Sequence, residues 1–206
     1  MATHRYAILI DGGFFFRKLW QQLGERPSVD QVVAEIDVIR DHDLVRGYEL
    51  LRAYYYDARP ATGNLTNPVS GQNLNLGNSE VFKKNQAFFE SLELRADISL
   101  RSGELSPHGW KLSHVALKDK SLKDRKLTAD DFVPDIEQKG VDLRIGLDIA
   151  RPSLRSLVQT IVVVTGDSDF VPAFKFARRE GVRVILRHMN HGVKKELRAH
   201  TDGIME

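Results

Sequence analysis

The stretch Gln159–Phe176, QTIVVVTGDSDFVPAFKF, constrains the fold more than any other part of the chain. Ile161–Val164 is an unbroken β-branched run, the pattern of a short strand buried on both faces. Gly166 ends it, and Asp167 and Asp169 follow at once. Phe170, Ala173, Phe174 and Ala177 then recur at the period of an amphipathic helix. Ser168 or Asp169 is the expected cap of that helix, Pro172 fits its first turn, and Gly181 closes it. A strand, an acidic turn and a helix in this order belong to an open α/β sheet. In such sheets, ligands collect beyond the carboxyl ends of the strands, where the two aspartates fall.

The same alternation recurs along the chain. Arg5–Ile10 reads as a strand ending in Asp11-Gly12-Gly13, followed by a helix from about Phe14. Ser28 and Gln31 have the spacing of a capping box, and Val29, Val32, Val33 and Ile36 mark the inward face of the next helix. Glu49–Tyr56 is aromatic and mostly apolar, a second strand in which Tyr54–Tyr56 is read as strand core. Arg59–Asn78 is rich in Pro, Gly, Asn, Ser and Thr and reads as a long loop. Ser79 caps a helix running to about Leu92, Ala96–Arg101 is a third strand, and a short strand is placed at Trp110–Leu117. Lys139–Asp142 opens another helix, Val182–Leu186 is a last strand, and Lys194–His200 is a short terminal helix. The expectation is a three-layer α/β/α sandwich around a central parallel sheet. One domain over 1–206 is expected, with a loop-rich, partly basic insertion at about 59–134.

Composition excludes several classes of function. Of 206 residues, 42% are hydrophobic, enough for a real core. The chain has no cysteine, which rules out disulfides, thiolate nucleophiles and Cys-ligated zinc and fits a reducing, cytoplasmic setting. No run reaches bilayer length, and the N-terminus leads straight into a strand rather than a signal sequence. The net charge of +2 is too small to indicate a partner by itself. Its distribution says more, because Lys111, Lys118, Lys120 and Lys123 crowd one segment that could line a path for RNA phosphates, with Trp110 or His108 stacking on a base. Lys139, like Arg178 or Arg179, is a further candidate for phosphate. The alternative for each is a solvated surface cation. His188, His191 and His200 lack metal-ligand spacing and are read as surface residues.

Four carboxylates form the candidate site. If the first and fourth strands are neighbours, Asp11, Asp167 and Asp169 converge at their ends, and Asp142, in the first turn of its helix, is the fourth member. Such a set suits hard, oxygen-seeking Mg²⁺ or Mn²⁺, which bind substrate phosphates and can activate water. Asp148 ranks second. It is turned by about 240° from Asp142 on a helix and is expected to pair with Arg144 or Arg151, or to line the cleft's edge. The competing explanation for each aspartate is structural: a turn or helix cap for Asp11, Asp167 and Asp169, and a helix-dipole partner for Asp142.

IDGG at Ile10–Gly13, KGVDLRIGLDI at Lys139–Ile149 and VVVTGDSDFVPAF at Val162–Phe174 resemble the NYN domain of the PIN-like nuclease superfamily, and its LabA-like branch in particular. The resemblance implies a Rossmann-like, PIN-type fold. It also implies a metal-dependent ribonuclease acting on single-stranded RNA, with catalytic and metal-binding aspartates at Asp11, Asp142, Asp167 and Asp169, and it allows a homodimer. Many members carry Asn where this chain has Phe14. That departure keeps open a second reading, a catalytically inactive RNA-binding or regulatory protein on the same fold. A phosphatase of the haloacid dehalogenase type is disfavoured, because Gly13 stands where its acid/base aspartate would be.

Overall fold

The computed structural model describes residues 4–206. These fall into two compact units, one formed by the chain up to Asp57 with Phe88–Ser102 and Gly140–Glu206, the other by Ala58–Ala87 and Gly103–Lys139.

The first unit is built on buried parallel strands. β1 (Arg5–Asp11) pairs in parallel with β2 (Glu49–Ala58) on one side and with β7 (Thr160–Val164) on the other. β8 (Arg183–Arg187) and β9 (Gly203–Met205) extend this parallel set beyond β7. Ala7–Ile10 and Ile161–Val164 are almost wholly inaccessible, as strands covered on both faces must be. Over one face, α1 (Gly12–Leu23) and α2 (Val29–Arg40) bring Phe15, Leu19, Val32 and Ile36 against Ile8, Ile10, Val162 and Val164. On the other side, α5 (Val141–Leu154) and α6 (Val171–Arg179) pack together and bury Ile145, Ile149, Phe174 and Ala177. The α/β/α sandwich is therefore present, and β1 is adjacent to β7 as a doubly wound sheet requires.

The full hydrogen-bonded order is β6-β5-β2-β1-β7-β8-β9. The sheet is mixed rather than wholly parallel, because β6 (Phe132–Lys139) pairs antiparallel with the Glu104–Leu112 stretch of β5 (Ile98–Leu112). One long β5 thus replaces the separate strands expected at Ala96–Arg101 and Trp110–Leu117. A register irregularity between Pro107 and Gly109 carries the ladder past the proline, and Gly109 takes a positive φ of 110° there. The residues after Leu112 turn instead into α4 (His114–Lys118), capped by Ser113.

The second unit also holds order where a loop was expected. Within Arg59–Asn78, Asn64–Thr66 (β3) and Asn73–Asn75 (β4) form a small antiparallel hairpin, and Leu76–Asn78 is a 3₁₀ turn. Polar side chains hold the hairpin: Asn67 Oδ1 accepts from the backbone N–H groups of Val69 and Ser70. Such side-chain turns leave no apolar period to read. Ser79 accepts from Phe82 N–H at the start of α3 (Glu80–Glu93), as its spacing predicts.

The caps were legible in part. The Ser28–Gln31 capping box is complete, with bonds of 2.8 and 3.2 Å. The helix after β1 begins at Gly12 rather than near Phe14, with Asp11 as its cap. Neither Ser168 nor Asp169 caps α6; a 3₁₀ turn, Ser168–Phe170, intervenes and is capped by Asp167. Gly181 closes α6 in the left-handed conformation, φ 80°, as expected. α7 (Lys195–Ala199) is the terminal helix, and β9 follows it unforeseen, because three residues carry no period.

Candidate active site at the carboxyl ends of β1 and β7

The ends of β1 and β7 are joined through one hydroxyl. Thr165 Oγ1 donates to Asp11 Oδ2 at 3.2 Å and accepts the backbone N–H of Asp167 at 3.1 Å. Asp11 Oδ1 accepts the Phe14 N–H at 3.1 Å, and Asp167 Oδ1 accepts the Asp169 N–H at 2.9 Å. Asp11 and Asp167 therefore perform the local turn-capping that any aspartate at a strand end can perform. The same bonds fix their carboxylates in place at adjacent strand ends.

Asp142 and Asp169 differ. Among the described residues, neither carboxylate has a hydrogen-bond or ion-pair partner. Burial holds the Asp142 carboxyl above the ordinary carboxylate range, and the charges of Asp167 and Asp169 push it further. Asp11 is likewise raised, first by burial and then by the charge of Asp142, against the lowering effect of the Phe14 N–H and the Thr165 hydroxyl. Asp142 is thus the aspartate that links the others electrostatically, its charge acting on Asp11 and the charges of Asp167 and Asp169 acting on it, and like charges so placed need a cation or a proton.

The donor set fits a hard cation chemically, being all carboxylate oxygen. Among the described residues, no three His, Asp or Glu side chains stand close enough to grip one ion between them. Mg²⁺ does not require such a cage, since it keeps several waters and is held by one or two carboxylates together with substrate phosphates.

Asp148 faces elsewhere. Tyr56 Oη donates to its Oδ2 at 3.0 Å, and Arg101 Nε lies 3.2 Å from the same oxygen as an ion pair without the alignment of a hydrogen bond. Its partners come from β2 and β5, not from Arg144 or Arg151 one helical turn away. Burial and the charge of Asp148 keep the Tyr56 phenol strongly protonated.

Phe14 occupies the place above Gly166. Its ring meets His191 edge-on with centroids 5.5 Å apart, and a Cβ added at Gly166 would fall 2.7 Å from Phe14 and against His191. Gly12 is tight for the same kind of reason, since a Cβ there would stand 2.6 Å from both Tyr55 and the Tyr56 carbonyl. His191 is exposed, but His188 is buried, with neither ring nitrogen hydrogen-bonded. It follows β8, whose residues Val184, Ile185, Leu186 and Arg187 are buried, so a histidine that reads as surface is in fact interior. Thr165 was also missed; a threonine between the β-branched run and Gly166 reads as one more strand residue.

Of the expected phosphate ligands, Lys111, Lys118, Lys120, Lys123 and Lys139 all belong to the second unit. Lys111 is paired with Asp135 at 2.7 Å and Lys139 with Glu137 at 3.4 Å. His108 is bonded to Glu137 as well. Lys118, Lys120 and Lys123 are exposed.

The sequence matches the NYN domain family over residues 5–206, nearly its whole length. The chain belongs to the NYN domain family. NYN domains are nuclease-like members of the PIN superfamily, so this NYN domain has a nuclease-type fold. No curated protein matches the chain. Among solved structures, the NYN domain is similar to a protein of unknown function from Vibrio parahaemolyticus, at 13% identity and a TM-score of 0.52. The alignment covers 98% of this chain and 91% of that one, which is a likeness of fold. Among the described residues, no helix is long and apolar enough to cross a membrane.

Proposed function

We propose that this NYN domain, of the LabA-like branch, is a Mg²⁺- or Mn²⁺-dependent ribonuclease acting on single-stranded RNA in the cytoplasm. The reading rests on one observation: Asp142 and Asp169 have no hydrogen-bond or ion-pair partner among the described residues, while the charge of Asp142 acts on Asp11 and the charges of Asp167 and Asp169 act on Asp142. Carboxylates gathered without compensation are costly, and a divalent cation held by these aspartates would offset that cost. A bound metal ion would supply a lowered water pKa and stabilise charge at the leaving oxygen.

The chain's own residues do the rest. Thr165 and the Phe14 N–H hold Asp11, and the 3₁₀ turn holds Asp167, so two carboxylates are preorganised before substrate arrives. Asp142 and Asp169 retain free oxygens to orient water and accept its proton. Water attacks phosphorus in line, the bond to the 3′ oxygen breaks, and that oxygen takes a proton, leaving 5′-phosphate and 3′-hydroxyl ends.

The second reading, an inactive RNA-binding protein, is favoured by Phe14, whose buried ring fills a place where many relatives carry an amide. Fluorescent single-stranded RNA incubated with EDTA, Mg²⁺ or Mn²⁺, beside Asp167→Asn, separates the two. Metal-dependent cleavage lost in the variant supports the nuclease. Binding without cleavage in both proteins supports the second reading.

A further inference from the structure

A group of cationic side chains in the first unit lies at the far end of α6 from the acidic turn. A cleft of about 760 Å³ is lined by Lys175, Arg178, Arg179, Arg183, His200 and Asp202. Four fixed cations face one carboxylate there. That carboxylate is already committed: Asp202 Oδ1 accepts Arg178 Nε at 2.9 Å and Oδ2 accepts the Val184 N–H at 2.8 Å. The Asp202 N–H returns a bond to the Val184 carbonyl at 2.7 Å, so this wall of the cleft is pinned to β8. Arg178 is engaged only through Nε, and the side chains of Lys175, Arg179 and Arg183 have no hydrogen-bond or ion-pair partner among the described residues.

We infer that this cleft binds the phosphodiester backbone of the RNA strand whose scissile bond lies at the acidic turn. The inference rests on the ribonuclease reading and deepens it. Lys175, Arg178 and Arg179 are spaced i, i+3 and i+4, so they share one face of α6. Asp169 stands just before the helix that ends in Arg179, and about ten residues at about 1.5 Å each separate the two by about 15 Å. Four or five nucleotides of stacked strand, at about 3.4 Å each, cover that span. The cleft is lined by no Phe, Tyr or Trp, so it offers charge to a backbone rather than a stacking platform to a base. Cations held together without counter-charges repel one another, and a row of phosphates relieves that repulsion.

The test compares wild type with the Lys175→Ala/Arg179→Ala/Arg183→Ala variant in Ca²⁺ or EDTA, by anisotropy on two labelled single-stranded RNAs, one of about 20 nucleotides and one of about 2, too short to reach from the acidic turn to the cleft. Thermal melting confirms that the variant is folded, and Lys175→Arg/Arg179→Lys/Arg183→Lys preserves charge as a control. For the longer RNA, the alanine variant should bind about ten- to a hundredfold more weakly near 0.1 M salt, and its salt slope should fall by about two. The charge-preserving variant should bind like wild type, and the short RNA should show no difference. An unchanged slope on the longer RNA, with Asp167-dependent cleavage intact, overturns the track and leaves the nuclease reading standing. Equal weakening on both lengths also overturns it, because the cations then act on the acidic site. Failure of wild type to bind either RNA removes the ribonuclease reading and the track together.

Discussion

Thr165 stands between Asp11 and Asp167, giving its hydroxyl hydrogen to the first and receiving the backbone N–H of the second. The side chain is wholly buried. Thr165→Val keeps its shape and removes both bonds, leaving buried polar groups unpaired at about 1–3 kcal/mol. In a chain of this size, that lowers the melting temperature by several degrees. Thr165→Ser should recover most of the loss, and RNA cleavage should fall in the valine variant and return in the serine one. Calorimetry and a cleavage assay on the same preparations check both halves.

Metal-free protein should become less stable as pH rises through the range just above the ordinary carboxylate value. Asp142 and Asp11 are raised in the folded state, so the fold binds more protons than the unfolded chain in that window. Asp142→Asn should therefore melt higher than wild type at neutral pH in EDTA, with the advantage vanishing below about pH 4, near the unperturbed pKa. Excess Mg²⁺ should raise wild type and leave the variant nearly unmoved. Melting curves across pH, with and without metal, decide it.

Phe14 and His191 close over Gly166. Gly166→Ala places a methyl where both rings sit, so it should displace them and destabilise the turn that carries Asp167. Phe14→Asn removes a ring only 7% exposed and should cost about 3 kcal/mol or more by cavity formation. Urea unfolding of each variant, beside wild type, measures these costs.

Within the second unit, Asp131 is gripped from several sides. Arg125 donates to both of its oxygens at 2.7 Å, and the Thr128 N–H and hydroxyl donate at 2.7 and 3.0 Å. The guanidinium, followed by the Thr128 groups, holds this carboxyl well below the usual range. Its stabilising effect is present above the unfolded pKa and is lost as pH falls through the folded one. Asp131→Asn should thus melt lower than wild type at neutral pH, and the gap should close only in strong acid. Hydrogen exchange at the Ser113 N–H, which bonds the Asp131 carbonyl, reports the loss locally.

Period and punctuation carried much of this fold into the sequence. Ile161–Val164 read as a buried strand, Ser28 and Gln31 as the start of a helix and Gly181 as the end of one, because each signal is local. Asp11, Asp167, Asp169 and Asp142 were visible for the same reason: they follow immediately on strands or open a helix. What needed the tertiary structure was every feature made by residues distant in the chain. Asp148 turned to Tyr56 and Arg101 because β2 and β5 supply its partners, which helical geometry alone does not reveal. Thr165 became a bridge because β1 and β7 pair in register, and His188 became interior because β8 is covered on both faces. The antiparallel β5–β6 ladder and the Asn67 hairpin lacked the apolar period that marks strands, since their bonds are made by backbone and polar side chains. Local periodicity determined the elements; packing between them decided which side chains meet.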